Sequence, residues 1–337
     1  MKKNSKEYSV LIIAEIGINH EGDVNVAKRM IREAAKAGAN AIKLQTIDPD
    51  ENYLKNTLSH KIFRNARLTK KETNSLFKIA KKLGVDPFTT AGDFKTIDWV
   101  NELNPSAFKI SSSLLTCLPI IKYIAKKKRH ILMSTGMANM KEIKLAIETA
   151  KKANAKSISL LHCTALYPTP TNRLNLATIS LLREKFNLQV GYSDHSLDPN
   201  VAKLAVAAGA RIIEKHFTLD SKRKGFDHAI SLEPPAFKKM VNEIRTMEKM
   251  LGKKEKIISR EEKQRIPSLR RYLVVKSDIK KGEKFTKDNL GFCRIQGNKN
   301  SLEPKYFESI LGRRAKKKIF SQTPLKNKHF KLSLIHI

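Results

Sequence analysis

Short apolar, β-branched runs recur along most of the chain, and segments with helical periodicity separate them. Eight such runs lie at residues 10–17, 41–46, 86–91, 107–113, 130–136, 157–165, 189–196 and 211–219. The segments between them repeat apolar residues with a 3.6-residue period, most clearly at 24–37, 140–153 and 199–208. Near-continuous apolar strands that alternate with helices are typical of a parallel sheet covered on both faces. Eight such units within about 250 residues predict a closed (β/α)8 barrel.

The rival architecture, an open doubly wound sheet, lacks its usual phosphate-binding signatures. No GxGxxG follows the first run, and no GxxxxGK[ST] occurs anywhere in the chain. These glycine-rich turns bring backbone amides close to phosphates in open sheets, so their absence favours the closed barrel.

The pattern changes after a helix predicted at 235–251. Residues 252–270 carry many charges and few large apolar side chains, which favours a linker or an extended connection. Short segments that indicate a small, irregular β-rich domain follow at 272–275, 285–290, 306–311 and 315–320, with a turn at 281–283. The final stretch, FKLSLIHI, fits either an edge strand or a frayed tail. We therefore predict a barrel domain over 1–251, a linker over 252–270 and a small domain over 271–337.

A strong excess of positive charge raises the question of nucleic-acid binding. The 337 residues include 66 Lys and Arg against 32 Asp and Glu, a formal charge of +34. Residues 260–337 carry 21 basic and 7 acidic residues, and residues 1–259 carry 45 and 25, so the C-terminal part is more basic per residue. No helix-turn-helix, zinc-finger or aromatic-interleaved basic stretch accompanies this charge. We interpret it as a lysine-rich surface and expect no nucleic-acid partner.

Composition and cysteine content favour a cytoplasmic globular protein. Hydrophobic residues make up 41% and charged residues 29% of the chain, and no apolar run approaches the ~18 residues that span a bilayer. The first residues hold Glu7 and Glu15 around an apolar stretch too short for a secretory signal. Cys117, Cys163 and Cys293 are far apart and lack the CxxC spacing of a zinc or redox site. We expect no membrane partner.

Polar and ionisable residues mark the end of every predicted strand. In (β/α)8 barrels the active site lies at the carboxyl ends of the strands, where inward-facing polar groups need a functional reason. The residues are Glu15; Lys43 and Gln45; Thr89 and Thr90; Lys109, Ser111 and Ser112; Ser134; His162, Thr164 and Tyr167; Asp194 and His195; and Glu214, Lys215 and His216. One buried lysine alone fits a structural ion pair equally well. Polar groups at all eight strand ends predict an active site.

The lysines narrow the chemistry of this predicted site. Lys43 and Lys109, accompanied by several hydroxyl groups, make a cationic surface rich in hydrogen-bond donors. Such a surface suits a phosphorylated or carboxylated small molecule. No serine lies in a GxSxG turn, so nothing indicates a nucleophilic triad.

Two histidines at neighbouring strand ends indicate a metal. His195 and His216 are placed to meet at one divalent ion, with Glu15 or Asp227 joining directly or through water. Either histidine taken alone is explained more simply as a hydrogen-bonded barrel residue. Their matching positions on successive strands favour the metal site.

A series of motifs, in order along the chain, resembles the sialic acid synthase family. They are AEIGINHEG (14–22), IKLQT (42–46), FKISS (108–112), STGM (134–137), LHCTALYPTP (161–170), GYSDHS (191–196), EKHFTLD (214–220) and GFDHAISLEP (225–234). Members of this family make nonulosonic acids such as N-acetylneuraminate, legionaminate and pseudaminate. Residues 271–330 resemble the small antifreeze-like, or SAF, domain of these synthases, so the resemblance covers essentially the whole chain.

The resemblance implies a condensation reaction. Phosphoenolpyruvate joins the open-chain aldehyde of an N-acylated hexosamine, typically N-acetylmannosamine, with uptake of water and release of phosphate. By resemblance, His195 and His216 hold Mn²⁺ or Mg²⁺, which polarises the aldehyde. Glu15 and Asp227 are implied to contact metal-bound water or the sugar hydroxyls. The residues implied to bind phosphoenolpyruvate are Lys43, Gln45, Thr90, Lys109, Ser112 and Ser134, with Tyr167 lining that site.

The resemblance also implies a domain-swapped homodimer. In the family, the small domain of one subunit covers the barrel opening of the other, and an arginine contacts the N-acyl group of the sugar. Arg294 is at the matching position, but the family's Arg-Pro-Gly-x-Gly run reads RIQGN at 294–298. Ala165 stands where sialic acid synthases often place an Asn beside phosphoenolpyruvate. The stretch TIDPDENYLKNTLSHKIFRNARL after Gln45 also differs, which bears on sugar choice.

Several alternatives remain open at the level of the sequence. Legionaminate or pseudaminate synthases act on diacetamido sugars, and related synthases act on phosphorylated sugars. A non-catalytic binding or regulatory protein on the same fold has only the departures at Ala165 and after Arg294 in its favour. A nucleic-acid-binding protein predicts association that weakens steeply with salt. We therefore predict a phosphoenolpyruvate-dependent transferase, with N-acetylneuraminate synthesis as the default activity.

Overall fold

Eight parallel strands close into a barrel in the computed structural model, which describes residues 9–296 and 300–330. The strands are β1 (Leu11–Gly17), β2 (Ala41–Gln45), β3 (Asp86–Thr90), β4 (Ala107–Ile110), β5 (His130–Ser134), β6 (Ser157–His162), β7 (Gln189–Asp194) and β8 (Ile212–His216). Each strand pairs with the next, and β8 pairs with β1. The predicted (β/α)8 barrel is confirmed.

Helices follow the strands, and most of them cover the outside of the barrel. They are α1 (Val24–Lys36), α2 (Pro49–Asn52), α3 (Leu58–Asn65), α4 (Lys70–Lys82), α5 (Phe94–Glu102), α6 (Leu118–Lys126), α7 (Met140–Lys152), α8 (Thr178–Phe186), α9 (Val201–Ala207) and α10 (Pro234–Leu251). Local sequence sets several helix starts: Thr69 with Glu72, and Asn139 with Glu142, form capping boxes that satisfy the first free amides of α4 and α7.

The two-residue alternation of the strands decides which side chains face the barrel centre. The apolar residues of the strands form two clusters. The inner cluster includes Ile13, Phe88 and Leu132, and the outer cluster, between the strands and the helices, includes Ile12. Within a strand, a residue two positions after a member of the inner cluster also faces the barrel centre. Glu15 on β1 is therefore directed inward and lies in register with Lys43 of β2 and His216 of β8.

The chain divides after Gly252 into two compact units, and the C-terminal unit begins at Lys253. Its elements are α11 (Arg260–Leu269), β9 (Arg271–Val275), β10 (Leu290–Arg294) and α12 (Phe307–Ile310). The strands β9 and β10 pair antiparallel, and isolated bridges such as Ile279 with Ile319 add short β contacts. A separate apolar core forms within this unit, with Leu273, Phe285 and Leu325 among its members.

Several expectations for the C-terminal part were wrong in detail. Residues 252–270 are not wholly an extended connection, because Ser259 and Glu262 form a capping box that starts the helix α11. The segment predicted at 285–290 enters a strand only at Leu290, and 306–311 contains the short helix α12 rather than a strand. The segment 315–320 contributes only isolated bridges. The last stretch, 331–337, lies outside the described residues.

In the described part of the chain, no helix combines the length and apolar character needed to cross a bilayer.

Candidate active site

A cavity of about 680 Å³ lies at the carboxyl ends of the barrel strands. Its lining brings together most of the residues proposed from the sequence. These are Lys43, Gln45, Thr90, Lys109, Ser112, Ser134, Tyr167, His195, His216 and Asp227. Glu15 contacts this group from below, through Lys43. Arg294 ends β10 in the C-terminal unit, where its side chain is exposed.

A buried cluster of charges forms the floor of the cavity. Glu214 accepts a hydrogen bond from the Lys109 ammonium at 2.8 Å and from the Ser193 hydroxyl at 2.8 Å. Its other oxygen, Oε2, lies 3.7 Å from Lys43 Nζ, and Lys43 lies 2.5 Å from Glu15 Oε2. We call Lys43, Lys109, Ser193 and Glu214 the cationic floor. Two ammonium groups and one carboxylate give these four residues a charge of about +1 when all three are ionised, and the ionised Glu15 carboxylate beside Lys43 would balance it.

Burial changes the protonation of the cationic floor. Removal from water lowers the pKa of Lys43 from 10.5 to about 7, although the nearby Glu214 carboxylate opposes the change. Burial on its own would raise the pKa of Glu214, but Lys109 and Lys43 outweigh it and hold that pKa well below its usual range. Glu214 therefore stays ionised at neutral pH, whereas the charge of Lys43 titrates near neutrality.

Glu15 is held beside the floor by a local irregularity of β1. The pairing of β1 with β2 shifts register between Glu15 and Gly17, and Gly17 adopts a φ of +54°. A Cβ at Gly17 would lie 2.8 Å from Glu15 Oε1, so a larger residue would displace the carboxylate. Gln45 Nε2 donates to the same Oε1 at 3.2 Å. The glycine and the amide together fix the direction of the Glu15 carboxylate.

The two histidines lie side by side with their ring centroids 5.5 Å apart. His195 Nδ1 donates to the Thr164 carbonyl at 2.9 Å, which leaves Nε2 unprotonated, with a lone pair that accepts from neighbouring hydroxyls. The Tyr167 hydroxyl lies 3.2 Å from that Nε2, and the Tyr167 ring stacks on His195 at a centroid distance of 4.2 Å. His216 Nδ1 is buried without a hydrogen-bond partner and lies 3.5 Å from Asp227 Oδ2.

Both imidazoles are neutral at physiological pH. Burial lowers the pKa of His195 to about 4, and it lowers the pKa of His216 well below its ordinary value of 6.5, with His195 and Lys43 adding to the effect. A neutral imidazole keeps a lone pair, which is the form that binds a metal ion. The pair is therefore chemically competent as a ligand set.

Asp227 is positioned by the segment that follows β8. Its backbone N–H donates to Asn19 Oδ1 at 3.0 Å, and its carbonyl accepts from the Ser231 hydroxyl at 2.6 Å. Asn19 in turn donates to the Phe217 carbonyl at 3.1 Å. Burial raises the pKa of the Asp227 carboxyl, and Lys43 opposes that change. Asp227 thus has a backbone fixed by two hydrogen bonds and a carboxyl group with an increased tendency to carry a proton.

Hydroxyl groups line the side of the cavity opposite the histidines. Ser112 Oγ lies 3.2 Å from the buried Cys163 thiol, and the Thr90 hydroxyl is buried without any hydrogen-bond partner. A Cβ at Gly136 would approach Ser112 Oγ to 2.7 Å, so the backbone is close-packed here. The Thr90 hydroxyl, a buried donor without a partner on the strand next to Lys109, is a group that an oxyanion would use.

The segment between β2 and α4, residues 46–69, forms a wall of the cavity that we call the lid segment. It contains α2 and α3 and places Tyr53 and Phe63 at the cavity, where their rings stack at 5.1 Å. Arg67 donates to Asp48 at 2.9 Å, and His60 lies 3.0 Å from Asp50. The lid segment is therefore internally cross-linked and presents an apolar surface above the polar floor.

Sequence reasoning missed two members of the cationic floor. Glu214 was placed at a strand end without a role, and Ser193 was not considered. Each precedes a proposed histidine by two residues, so each shares the inward face of that histidine. The alternation that paired Lys43 with Gln45 would have identified both.

A metal fits the histidine pair only as an open site. Among the residues that the structure describes, no three His, Cys, Asp or Glu side chains form a group able to enclose an ion. The donors at hand are two neutral imidazoles, with the Asp227 carboxylate beside His216. Such a set suits a divalent ion whose remaining positions are filled by water or substrate.

The fold and the cavity define a class: a (β/α)8-barrel enzyme whose cavity holds two lysines and several hydroxyl groups beside two neutral histidines. Comparison with known proteins gives the family. The NeuB family model matches residues 30–256, and the SAF domain model matches residues 270–331. The chain belongs to the NeuB family and carries a C-terminal SAF domain, which confirms the resemblance found in the sequence.

Relatives that cover most of the chain support this assignment. The N,N'-diacetyllegionaminic acid synthase of Campylobacter jejuni is 40% identical over 91% of this chain and 96% of its own length. A pseudaminic acid synthase of the same species is 34% identical over 96% of this chain and 97% of its own length. The crystal structure of N-acetylneuraminic acid synthetase from Leptospira borgpetersenii, in complex with citrate, is 36% identical, covers 77% of this chain and 90% of its own, and superimposes with a TM-score of 0.74.

Proposed function

We propose that this protein is a nonulosonic acid synthase. It condenses phosphoenolpyruvate with the open-chain aldehyde of an N-acylated hexosamine, takes up one water and releases phosphate. The observation that carries the proposal is the cationic floor, which lies beside two neutral histidines in a single cavity. We place the reaction in the cytoplasm, where phosphoenolpyruvate is made.

The floor and the hydroxyl side supply the binding site for phosphoenolpyruvate in this proposal. Lys43 and Lys109 neutralise its carboxylate and phosphate, because ammonium groups withdrawn from water bind anions strongly. The hydroxyls of Thr90, Ser112 and Ser134 donate to the remaining oxygens. Glu214 keeps Lys109 in place and limits the net charge, so the floor binds the anion without the full repulsion between two free lysines. Gln45 and Tyr167 complete the lining.

A divalent ion, Mn²⁺ or Mg²⁺, completes the site. His195 and His216 would hold it, and when bound it would act as a Lewis acid toward the sugar aldehyde. Both histidines have the protonation state that a metal ligand needs, because the Thr164 carbonyl fixes the tautomer of His195 and burial keeps both rings neutral. Asp227 and Glu15 are left to contact water or the sugar hydroxyls, and the raised pKa of Asp227 suits it to exchange a proton there.

The choice of acceptor sugar follows from the relatives. N-acetylmannosamine is the default expectation, but the N,N'-diacetyllegionaminic acid synthase is 40% identical over 91% of the chain. The N-acetylneuraminic acid synthetase is 36% identical over 77%. We therefore propose a diacetamido sugar as the first acceptor to test, with N-acetylmannosamine second.

An acceptor screen tests the proposal. The purified full-length protein is stripped of metal with EDTA, then assayed for phosphate release from phosphoenolpyruvate with and without Mn²⁺. The acceptors are N-acetylmannosamine, its 6-phosphate, and the diacetamido precursors of legionaminate and pseudaminate. We expect release only when one of these sugars and the metal are both present. Turnover that is unchanged after stripping contradicts the metal site, and release without any sugar contradicts the condensation.

We further propose that the active form is a homodimer in which the SAF domain of one subunit serves the barrel of the other. Arg294 would contact the N-acyl group of the sugar, and its exposed position at the end of β10 leaves it available. Co-expression of Arg294→Ala and His216→Ala subunits tests this arrangement. Mixed dimers would hold one intact site, which restores about a quarter of the wild-type sites. No recovery over the separate variants contradicts the swap.

A further inference from the structure

A buried ion pair lies outside the cavity, in the layer between the barrel and its helices. Lys215 of β8 and Asp194 of β7 are 3% and 2% exposed, respectively. Their strand neighbours with the same orientation, Ile213 and Tyr192, belong to the apolar cluster that packs strands against helices. Lys215 and Asp194 therefore place an ammonium group and a carboxylate in a layer that is mainly apolar.

Both members of the pair are hydrogen-bonded. Lys215 Nζ donates to Asp194 Oδ2 at 2.9 Å and to the Ser196 carbonyl at 2.6 Å. The other oxygen of Asp194 accepts from the backbone N–H of Ser196 at 2.9 Å and from its hydroxyl at 2.7 Å. A lysine on one strand thus fixes the two residues on either side of His195 on the neighbouring strand.

Stability does not explain why charges occupy these positions. The desolvation cost of a buried ion pair commonly equals or exceeds its Coulombic gain, and apolar pairs of similar size are often as stable or more so. The positions of the two residues in the sequence indicate another role, because Lys215 directly precedes His216 and Asp194 directly precedes His195. The pair joins the two strand ends that carry the histidines, on the face away from the cavity.

We propose that Lys215 and Asp194 are positioning residues that set the spacing and orientation of the two imidazoles. Two sets of contacts orient His195: the Thr164 carbonyl holds its ring, and the contacts of Lys215 hold the backbone on either side of it. Through Lys215, the same contacts tie His195 to the strand that carries His216. The inference rests on the proposed function, since the geometry it sets is that of the proposed metal site.

The test replaces the pair while preserving packing. The double variant Lys215→Met/Asp194→Leu removes both charges, and Asp194→Asn serves as a milder variant should the double variant fail to fold. The matched control is Lys203→Met/Glu243→Leu, which removes a partly exposed pair between α9 and α10 with a separation of 3.3 Å. Mn²⁺ affinity by titration calorimetry, melting temperature, and kcat and KM for phosphoenolpyruvate are measured for each full-length protein.

We expect the double variant to melt near the wild-type temperature, yet to bind Mn²⁺ about 10- to 100-fold more weakly, as is typical when a group that orients metal ligands is lost. The kcat falls with the affinity, whereas KM for phosphoenolpyruvate stays close to wild type because the floor is intact. The control variant should keep the wild-type melting temperature, Mn²⁺ affinity, kcat and KM. Unchanged Mn²⁺ affinity in a folded variant overturns the proposal.

A second readout separates this inference from the proposed function. Crystal structures of the metal-free wild type and variant show directly whether His195 moves relative to His216. A displacement of the His195 ring atoms by more than about 0.5 Å supports the positioning role even if the wild type binds no Mn²⁺, because functional sites need that precision. Rings that superimpose in the two structures overturn the role, whatever the metal result.

Discussion

The barrel unit and the C-terminal unit keep their charges in different places. Among the described residues, the buried carboxylates and ammonium groups all belong to the barrel unit, with Lys43, Lys109 and Glu214 among them. The buried polar residues of the C-terminal unit are Asn289 and His329. Arg294, the one site residue proposed in that unit, is exposed.

This difference shows how each unit can serve an active site. Closed strands and covering helices let the barrel bury charges: burial lowers the pKa values of Lys43 and His195, and the buried lysines hold the pKa of Glu214 below its usual range. A small unit with few regular elements presents its charged side chains at the surface. We therefore expect substitutions in the barrel cavity to affect the chemical step or phosphoenolpyruvate binding, and those in the C-terminal unit to affect sugar binding.

The largest expected effect is the loss of His216. We expect His216→Ala to lower kcat by about 10³-fold or more, because the metal loses one of its two proposed protein ligands. Circular dichroism and the melting temperature should stay close to wild type. The control is His130→Ala, at the amino end of β5 and outside the cavity, which should keep most of its activity. A His216→Ala enzyme with near wild-type kcat would remove this histidine from the site.

Lys109→Met should affect both stability and binding. Removal of the main partner of the buried Glu214 costs about 3–5 kcal/mol of unfolding free energy, and KM for phosphoenolpyruvate should rise about 100-fold. Urea unfolding and steady-state kinetics measure the two effects. The exposed Lys144→Met is the matched control. Adding Glu214→Leu should restore stability but leave phosphoenolpyruvate binding weak; recovery of both would mean that Lys109 acts only as a partner of Glu214.

Arg294→Ala tests the role proposed for the C-terminal unit in sugar binding. We expect KM for the sugar to rise about tenfold, as for the loss of one charge-assisted hydrogen bond, while KM for phosphoenolpyruvate and the melting temperature stay unchanged. Arg270→Ala, an exposed arginine in the same unit, should behave as wild type. A fall in kcat without any change in sugar KM would contradict a binding role for Arg294.

The pH dependence of phosphoenolpyruvate binding should report the charge of Lys43. Its pKa in the free enzyme is about 7, below its value in the unfolded chain, so the ammonium is present below pH 7 and is lost as pH rises. Because the ammonium fraction falls from about one half at pH 7 to about one hundredth at pH 9, we expect KM for phosphoenolpyruvate to rise on the order of 50-fold between these pH values. Lys43→Arg, which keeps its charge throughout this range, should give a flat profile. Parallel profiles for the two enzymes would contradict the assignment.

The barrel was predictable because its signals are periodic. Buried parallel strands leave continuous apolar runs, and the predicted β2 range, 41–46, differs from the observed Ala41–Gln45 by one residue. Lys43 and Gln45 were assigned to one face from the same alternation. Glu214 was left without a role because candidates were chosen by residue type, and a glutamate between two lysines is recognised only when distant strands are brought together.

The C-terminal unit was less predictable for a physical reason. Its segments are too short to show a period, and its β contacts outside β9 and β10 are isolated bridges between distant residues. The helix α11 was missed because its exposed, highly charged residues lack an apolar face, and Pro267 lies inside it. Only the capping box at Ser259 marks its start.

The most direct test of the proposed reaction is the mass of its product. The protein is incubated with Mn²⁺, phosphoenolpyruvate and a diacetamido hexosamine, and the mixture is analysed by mass spectrometry. We predict a new acidic sugar whose mass equals acceptor plus phosphoenolpyruvate plus water minus phosphoric acid, formed in equal amount with free phosphate. Phosphate accompanied by pyruvate, with the sugar unchanged for every acceptor tested, would contradict the account.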